Sequence, residues 1–307
     1  MGRLFPSFAI HAAALLAAAV AAAQQPPLLS LPPVAVGVAW RLDPPRQGSL
    51  VELRVAPPAR AGDSVVAILG ELAGEPLHFE ARRAVAGVPL YAPDTVALQI
   101  VLHWASAAVQ RVAVRLPVVA RRGRVERLRT APEFAREPDS ALAARIVTER
   151  ELQRDAARRA HAVPRLWAQA FMRPRPSRVT SPFGARRELN GVPRGVHAGM
   201  DLAGAMGMPV RAANRGAVAL VGHFFYGGIS VYLHHGAGLM TVYNHLSRAT
   251  VATGDTVERG QVIGRVGATG RVTGPHLHWA AHYGRLSVAP DDLLTLLATP
   301  PFSTDRD

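Results

Sequence analysis

Hydrophobic and polar residues alternate with a period of two in several short runs between about residues 34 and 120. The clearest runs are 51–55, 96–104 and 112–118, each with an aliphatic or aromatic residue at every second position. Successive side chains of a strand point to opposite faces, so this period predicts half-buried β-strands. Gly, Pro and Asp residues separate the runs. The pattern therefore predicts an antiparallel β-sandwich of immunoglobulin-like size over residues 34–120.

A helical pattern follows within residues 121–163. Asp139 or Ser140 can cap a helix that runs from about Ser140 to Ala160, and Pro138 ends any helix upstream of it. Acidic residues lie three and four positions before arginines, a spacing that stabilises a helix, although the apolar stripe is thin. We expect residues 121–163 to be a linker that contains this helix.

The region 164–295 contains short apolar runs between many glycines, which predicts a second, mostly β domain. Residues 218–221, 231–233, 240–245 and 262–266 are its candidate strands. The whole chain is thus predicted to be mostly β, with two domains and a linker helix.

Both ends of the chain differ from these domains. Arg3, the apolar run of residues 9–22 and the three alanines before Gln24 form the pattern of a signal peptide over residues 1–23. An uncleaved membrane anchor is the alternative. A Pro-rich segment covers 24–33, and residues 296–307 are a tail. We expect export to the periplasm or cell envelope, with no membrane span after cleavage; a secreted or signal-anchored form stays open.

The charge balance is strongly basic and depends on arginine alone. The formal net charge is +13 at pH 7, with no lysine and no cysteine. Such a charge suits an anionic partner. Nucleic acid is not expected, since the arginines are dispersed and no DNA-binding motif is present. Without cysteine, any metal site must use histidine and acidic side chains.

Two histidine-containing segments suggest such a site. His197 and Asp201 lie four residues apart, and His276 and His278 flank Leu277. Residues i and i+2 of a strand share a face, so His276 and His278 should face one common site. Two histidines and one aspartate make a three-ligand zinc shell with a fourth position open, as in catalytic zinc sites.

These segments and their neighbours resemble the lysostaphin-type zinc metalloendopeptidases, the LytM-domain family of bacterial cell-wall hydrolases. The resemblance covers about residues 171–294 and is carried by the motifs TSPFGAR (180–186), GVHAGMDLA (195–203), TVYNHL (241–246), GDTV (254–257), GQVIG (260–264) and GPHLHW (274–279). It implies an antiparallel β domain with zinc at the floor of an open cleft.

The same resemblance implies roles for five residues. His197, Asp201 and His278 would be the metal ligands for one Zn²⁺ per chain, and His245 and His276 the catalytic histidines. The implied function is hydrolysis of peptide bonds in peptidoglycan stem peptides or cross-bridges through a zinc-activated water, with peptidoglycan as the partner.

One alternative is a non-catalytic protein of the same fold that binds the cell wall or activates an amidase; it predicts lost site residues, and all five are present. A second, a lipoyl or biotinyl carrier, requires an acceptor lysine that the chain lacks. The bond that is cut, the role of the N-terminal domain, the separate roles of His245 and His276, and the oligomeric state stay open.

Overall fold

The computed structural model describes residues 36–41, 44–134 and 136–296. The predicted signal peptide 1–23, the Pro-rich segment 24–33 and residues 297–307 of the predicted tail lie outside this part. Antiparallel sheets dominate the described residues, as the sequence predicts. Neither of the described α-helices has the length and apolar character that crossing a bilayer requires.

The N-terminal region contains the predicted strands. β1, β2 and β5 form one antiparallel sheet in the order β1-β2-β5, and the others form a second sheet in the order β4-β3-β6-β7. Their bounds are β1 Gly37–Arg41, β2 Leu50–Ala56, β3 Val65–Leu72, β4 Glu75–Pro76, β5 Arg83–Gly87, β6 Thr95–Trp104 and β7 Val109–Pro117. The immunoglobulin-like character of this region stays a prediction.

The alternation along β6 shows how sequence sets the packing here. Every second residue from Val96 to Trp104 is buried, whereas Ala97 and Gln99 are exposed. One face of the strand thus enters the core and the other faces solvent. This is the arrangement that a period of two predicts.

The segment between the two β regions contains a strand as well as the predicted helix. β8 (Val125–Leu128) pairs in parallel with a strand of the C-terminal region, β10 (Arg186–Leu189). A 3₁₀ helix spans Pro132–Phe134, and α1 spans Ser140–Arg159. The helix begins as predicted, because Asp139 Oδ1 accepts a hydrogen bond of 2.8 Å from the backbone N–H of Leu142.

The C-terminal region is built on a ten-stranded sheet whose main path is β17-β14-β15-β16-β19-β12-β9. A small sheet in the order β11-β10-β8 lies beside it. The strands are β9 Val179–Ser181, β10 Arg186–Leu189, β11 Val192–Val196, β12 Met200–Ala203, β13 Pro209–Arg211, β14 Gly216–Phe224, β15 Gly228–Gly236, β16 Leu239–Ala249, β17 Thr256–Val257, β18 Val262–Val266, β19 His276–Tyr283 and β20 Leu286–Val288; α2 spans Pro290–Leu296.

Helix α1 packs on the face of this sheet that carries His276, His278 and Ala280 of β19. Ala156 and Ala157 of the helix form a small buried cluster with aromatic and aliphatic residues of β14, β15, β16 and β19. Glu149 accepts a hydrogen bond of 2.9 Å from the backbone N–H of Phe225. The helix is therefore held against the strands that carry the candidate site.

One continuous cluster of buried hydrophobic residues extends through both β regions. Hydrogen bonds cross between them from the last residue of β19 and from α2. Tyr283 donates from its hydroxyl to the carbonyl of Pro76 at 2.7 Å, and the backbone N–H of Leu50 donates to Asp292 Oδ2 at 2.8 Å. The two regions are therefore packed together by both apolar and polar contacts.

Candidate metal centre

Three predicted ligand residues meet where β12 and β19 pair. Asp201 of β12 lies opposite His278 of β19 in the antiparallel register, and His197 lies in the turn before β12. His278 Nδ1 is 2.8 Å from Asp201 Oδ1, His197 Nε2 is 3.1 Å from the same oxygen, and the two nitrogens are 3.0 Å apart. The three donor atoms therefore converge on one point.

Strand parity places the His-Leu-His segment as the sequence predicts. His276 and His278 face the cleft and are partly buried, whereas Leu277 and Trp279 are fully buried in the core. The core side chains hold the strand in register, because a slip of one residue would exchange the two faces. Packing of Leu277 and Trp279 therefore fixes the direction of both imidazoles.

A backbone carbonyl at His197 and the close approach of Gly199 at His278 determine which nitrogen each imidazole presents to the centre. His197 Nδ1 donates to the carbonyl of Pro182 at 3.0 Å, which leaves the Nε2 lone pair facing Asp201 and His278. In His278 the other nitrogen is enclosed, since a Cβ atom on Gly199 would lie 2.5 Å from Nε2. Only a glycine at position 199 leaves room for this ring, so His278 presents Nδ1.

Asp201 is the most strongly perturbed acid of the centre. Its carboxylate is 6% exposed, and Oδ2 accepts a hydrogen bond of 2.5 Å from Arg187 Nη2. Burial by itself raises the pKa of Asp201, but the polar contacts of its carboxylate with the His197 and His278 rings outweigh it and hold that pKa far below its ordinary value. The lowered pKa keeps Asp201 ionised at neutral pH.

Arg187 and Glu126 were not identified from the sequence. Glu126 of β8 accepts a hydrogen bond of 2.6 Å from Ser181 Oγ, and that hydroxyl lies 2.9 Å from His197 Nδ1. The parallel pairing of β8 with β10 brings Glu126 to this position. The sequence of this Arg- and Glu-rich linker segment does not reveal the role of Glu126. Strand β8 has only four residues, too few to show a clear alternation of apolar and polar positions.

His245 reaches the cleft through a break in strand β16. Tyr243 pairs with Val231, but Leu246 pairs with Ile229, so the strand holds one extra residue between them. His245 has a φ of 63°, in the left-handed region that few residues other than glycine adopt. Its Nδ1 donates to the carbonyl of Thr269 at 2.9 Å. The bulge turns His245 towards His276 and His278, whose ring centroids lie 5.0 and 5.8 Å away.

The bulge also separates His245 from its neighbours on β16. Strict alternation would place Thr241, Tyr243 and His245 on one face of the strand. Tyr243 is instead fully buried, and its hydroxyl accepts a hydrogen bond of 2.8 Å from the backbone N–H of Ala213. Asn244, opposite His278 on β19, lies at the cleft in its place.

Burial favours the neutral form of His245 and His278. It lowers the pKa of His245 to about 3 and that of His278 to about 4. Protonation of His278 or His276 would lower the pKa of His245 further, whereas the charge of Asp201 opposes the shift of His278. Neutral imidazoles offer a lone pair to a metal ion or to a proton.

His276 has its own fixed orientation beside the three donors. Its Nδ1 donates to the carbonyl of Gly274 at 2.8 Å, and its Nε2 lies 3.7 Å from Asp201 Oδ1. His276 thus stands next to the cluster with its Nε2 lone pair exposed to the cleft.

The donor set fits zinc by chemistry and by spacing. Tetrahedral Zn²⁺ with donors at about 2.0–2.1 Å requires donor atoms roughly 3.3 Å apart, and the three separations here are 2.8, 3.0 and 3.1 Å. Among the described residues, His197, Asp201 and His278 form the group whose donor atoms could hold one metal ion. Three donors fill three of the four tetrahedral positions, and the fourth is left for water or substrate.

Open cavities adjoin the three donors. A cavity of about 520 Å³ lies against Asp201 and His276, and one of about 220 Å³ lies against His197, His245 and His278. A third, of about 290 Å³, separates His278 from helix α1. A chain-like ligand can therefore reach the centre from more than one side.

Comparison with known proteins identifies a family for the region that contains this site. Residues 195–290 match the profile of peptidase family M23. A segment of 131 residues is 41% identical to the DD-carboxypeptidase/endopeptidase Mpg of Neisseria meningitidis, covering 43% of this chain and 30% of that protein. A segment of 104 residues is 43% identical to the peptidoglycan DD-endopeptidase ShyC of Vibrio cholerae, covering 33% and 24%. The chain thus spans less than a third of these relatives.

Similarity of fold extends further along the chain. A crystal structure of a candidate peptidase M23 from Pseudomonas aeruginosa superposes with a TM-score of 0.61 and 28% identity, covering 82% of this chain and 96% of that one. The matched region contains the convergent donors of β12 and β19 together with His245 and His276. Through its C-terminal region, the chain belongs to peptidase family M23.

Proposed function

We propose that this protein is an exported zinc metalloendopeptidase that hydrolyses peptide bonds in peptidoglycan, in stem peptides or cross-bridges. One Zn²⁺ per chain is held by His197, Asp201 and His278, and the catalytic work is shared by His245 and His276. We place the activity in residues 164–295, with 34–120 as a separate β domain and 121–163 as the linker between them.

The observation that carries this proposal is the convergence of three donors beside two further imidazoles. Asp201 Oδ1 lies within 3.1 Å of both ligand nitrogens and 3.7 Å from His276 Nε2. Structural zinc sites close all four positions with protein ligands, whereas catalytic sites keep one open. A buried three-donor set with unligated histidines at its open side supports catalysis over a purely structural metal.

His276 is suited to act as the general base. A zinc ion bound here would polarise the scissile carbonyl and lower the pKa of water towards ~7. Because His276 Nδ1 is committed to the carbonyl of Gly274, the Nε2 lone pair accepts the proton of the attacking water. The imidazolium then donates that proton to the leaving amine.

His245 serves best as a hydrogen-bond acceptor. Its Nδ1 proton is held by the carbonyl of Thr269, so Nε2 carries a lone pair in the neutral ring. Donation to an oxyanion would require the imidazolium, which a pKa lowered to about 3 by burial disfavours. His245 therefore orients the attacking water or shares the role of base, and stabilisation of the oxyanion is assigned to other groups.

The substrate class is supported by the relatives and by the cleft. ShyC is named a peptidoglycan DD-endopeptidase. The cavities beside the metal centre are open and lined by arginines, which suits an extended anionic polymer. Export is supported by the signal-peptide pattern of residues 1–23.

The test is digestion of purified peptidoglycan by residues 24–307, with mass analysis of the released fragments. We expect new amino termini within stem peptides or cross-bridges, loss of activity with a chelator, and recovery with one equivalent of zinc. Asp201→Ala abolishes release, whereas His223→Ala, a change at an exposed histidine, leaves it unchanged.

The non-catalytic alternative gives a different result. A protein that binds zinc stoichiometrically, remains folded and releases no fragment from any peptidoglycan type would be a binding or activator protein of the same fold. Wild-type protein that binds no zinc would contradict the metal centre itself.

A further inference from the structure

The larger cavity beside the metal centre has a strongly basic lining. It has a volume of about 520 Å³ and extends from β8 to the segment before His276. Arg187 and Arg271 line both this cavity and the smaller one beside His245 and His278. These two arginines therefore stand where the two cavities meet, next to the three donor residues.

Both acidic residues of this lining already contact arginine side chains. Glu126 accepts from Arg124 and Ser181, and Asp201 accepts from Arg187 and lies against the rings of His197 and His278. No acidic partner is found for Arg271 among the described residues; its guanidinium lies over the ring of Tyr226, 4.5 Å from the centroid. An aromatic face supports the cation without neutralising it.

Arg271 is partly buried among other cations. Burial lowers its pKa, and the charges of Arg187 and Arg194 lower it further, against an opposing effect of Tyr226. Guanidinium groups repel one another at short range, and an anion placed between them relieves that repulsion. The local field therefore attracts a negatively charged part of a ligand to the side of the scissile bond.

We propose that Arg271, with Arg187 beside it, binds a carboxylate group of the peptide substrate next to the bond that is cut. The proposal rests on the proposed peptidase function and names the feature of the substrate that the cleft recognises. A planar guanidinium forms two parallel hydrogen bonds with a carboxylate, which a lysine cannot match. The carboxylate comes either from a chain terminus or from an acidic side chain of the substrate.

The first experiment compares substrates with the free acid and with the amide. Dimeric muropeptides are prepared in three forms: with both carboxylates free, with the C-terminal carboxylate amidated, and with the side-chain carboxylate amidated. Zinc-loaded wild type, Arg271→Gln, Arg271→Lys and the distant surface control Arg115→Gln are assayed on each.

We expect Arg271→Gln to lower kcat/KM on the free acid by about tenfold to a hundredfold, the size of a charge-assisted hydrogen-bonded pair. The loss should fall mainly on KM, and Arg271→Lys should recover part of it. The amidated substrate that removes the relevant carboxylate should show a similar loss with wild type and no further loss with Arg271→Gln. Arg115→Gln should match wild type throughout.

The second experiment does not depend on turnover. Calorimetric binding of an acidic product peptide to chelator-treated protein should weaken by the same factor in Arg271→Gln, and its C-terminal amide or side-chain amide should identify the carboxylate. Equal affinity of Arg271→Gln and wild type for the acid would overturn the proposal. An equal loss on acid and amide would also overturn it, as a structural effect. Wild type that cleaves no muropeptide contradicts the peptidase function, whereas this binding test still decides the role of Arg271.

Discussion

Arg187 holds Oδ2 of Asp201, and this contact leaves Oδ1 as the oxygen that faces His197 and His278. The Nη2–Oδ2 distance is 2.5 Å, and Arg187 also donates to Ser181 Oγ at 3.2 Å. One arginine of β10 therefore orients the carboxylate of β12 and leaves one oxygen facing the two imidazoles. Such outer contacts set the geometry and basicity of metal ligands.

The Arg187 contact predicts a metal-affinity effect. Arg187→Gln should weaken zinc binding by about 10–100-fold while the protein stays folded, because the carboxylate loses the group that orients it. Competition with a chromophoric chelator measures the affinity, and circular dichroism checks the fold. Arg215→Gln, a substitution at an exposed ion pair with Glu258, is the matched control. Unchanged affinity in Arg187→Gln would show that Asp201 is oriented without it.

The proposed ligand His278 and the proposed catalytic histidines His245 and His276 should differ in zinc content and turnover when each is replaced. His278→Ala should lose zinc and activity together. His276→Ala and His245→Ala should retain zinc and lose about 10²–10³-fold in kcat, because each removes a proton acceptor but no metal donor. Metal content and turnover are measured on the same samples. If His276→Ala lost zinc as fully as His278→Ala, the two roles would have to be exchanged.

The position of Glu126 beside Ser181 indicates that the segment before α1 contributes to the site. Glu126→Ala removes the acceptor of Ser181 Oγ, which is the neighbour of His197 Nδ1. We expect zinc affinity to fall by about tenfold and Glu126→Gln to restore most of it, since the amide oxygen still accepts. Glu133→Ala, an exposed change in the 3₁₀ helix, is the control. Equal affinity of Glu126→Ala and wild type would make this chain of contacts irrelevant to the metal.

The burial of the His235 ring should make the fold sensitive to acid. This ring is fully buried, and it donates from Nδ1 to the carbonyl of Arg215 at 2.7 Å. Burial lowers its pKa to about 4, so between pH 6.5 and 4 the unfolded chain binds a proton that the folded chain does not. The stability contributed by neutral His235 is therefore complete above pH 6.5 and is lost as pH falls, by up to about 3 kcal/mol.

Urea unfolding of metal-free protein between pH 7.5 and 4.5 measures this dependence. His235→Gln should be less stable at pH 7.5, and its free energy of unfolding should fall less with acid than that of wild type. The difference between the two slopes isolates His235 from the other histidines. Parallel curves would mean that His235 does not contribute to the acid transition.

The local sequence pattern by itself determined which strand side chains are buried and where α1 begins. The period of two in β6 and in His276–Tyr283 fixed which side chains enter the core, because adjacent strand residues face opposite sides whatever the partner strand is. Asp139 fixed the start of α1 for an equally local reason. The resemblance of the sequence motifs to a family indicated His197, Asp201 and His278 as one ligand set, without reference to strand pairing.

Only the tertiary structure decided what depends on contacts between distant segments. His245 reaches the cleft because β16 holds one residue more than β15 at that point, and a bulge is a property of two paired strands, not of one sequence run. Glu126 contacts Ser181, and Arg187 contacts Asp201. These contacts form because β8 pairs with β10 and β9 pairs with β12, across large sequence separations. No periodicity within a single segment encodes such pairings, since their energy appears only when both segments are folded.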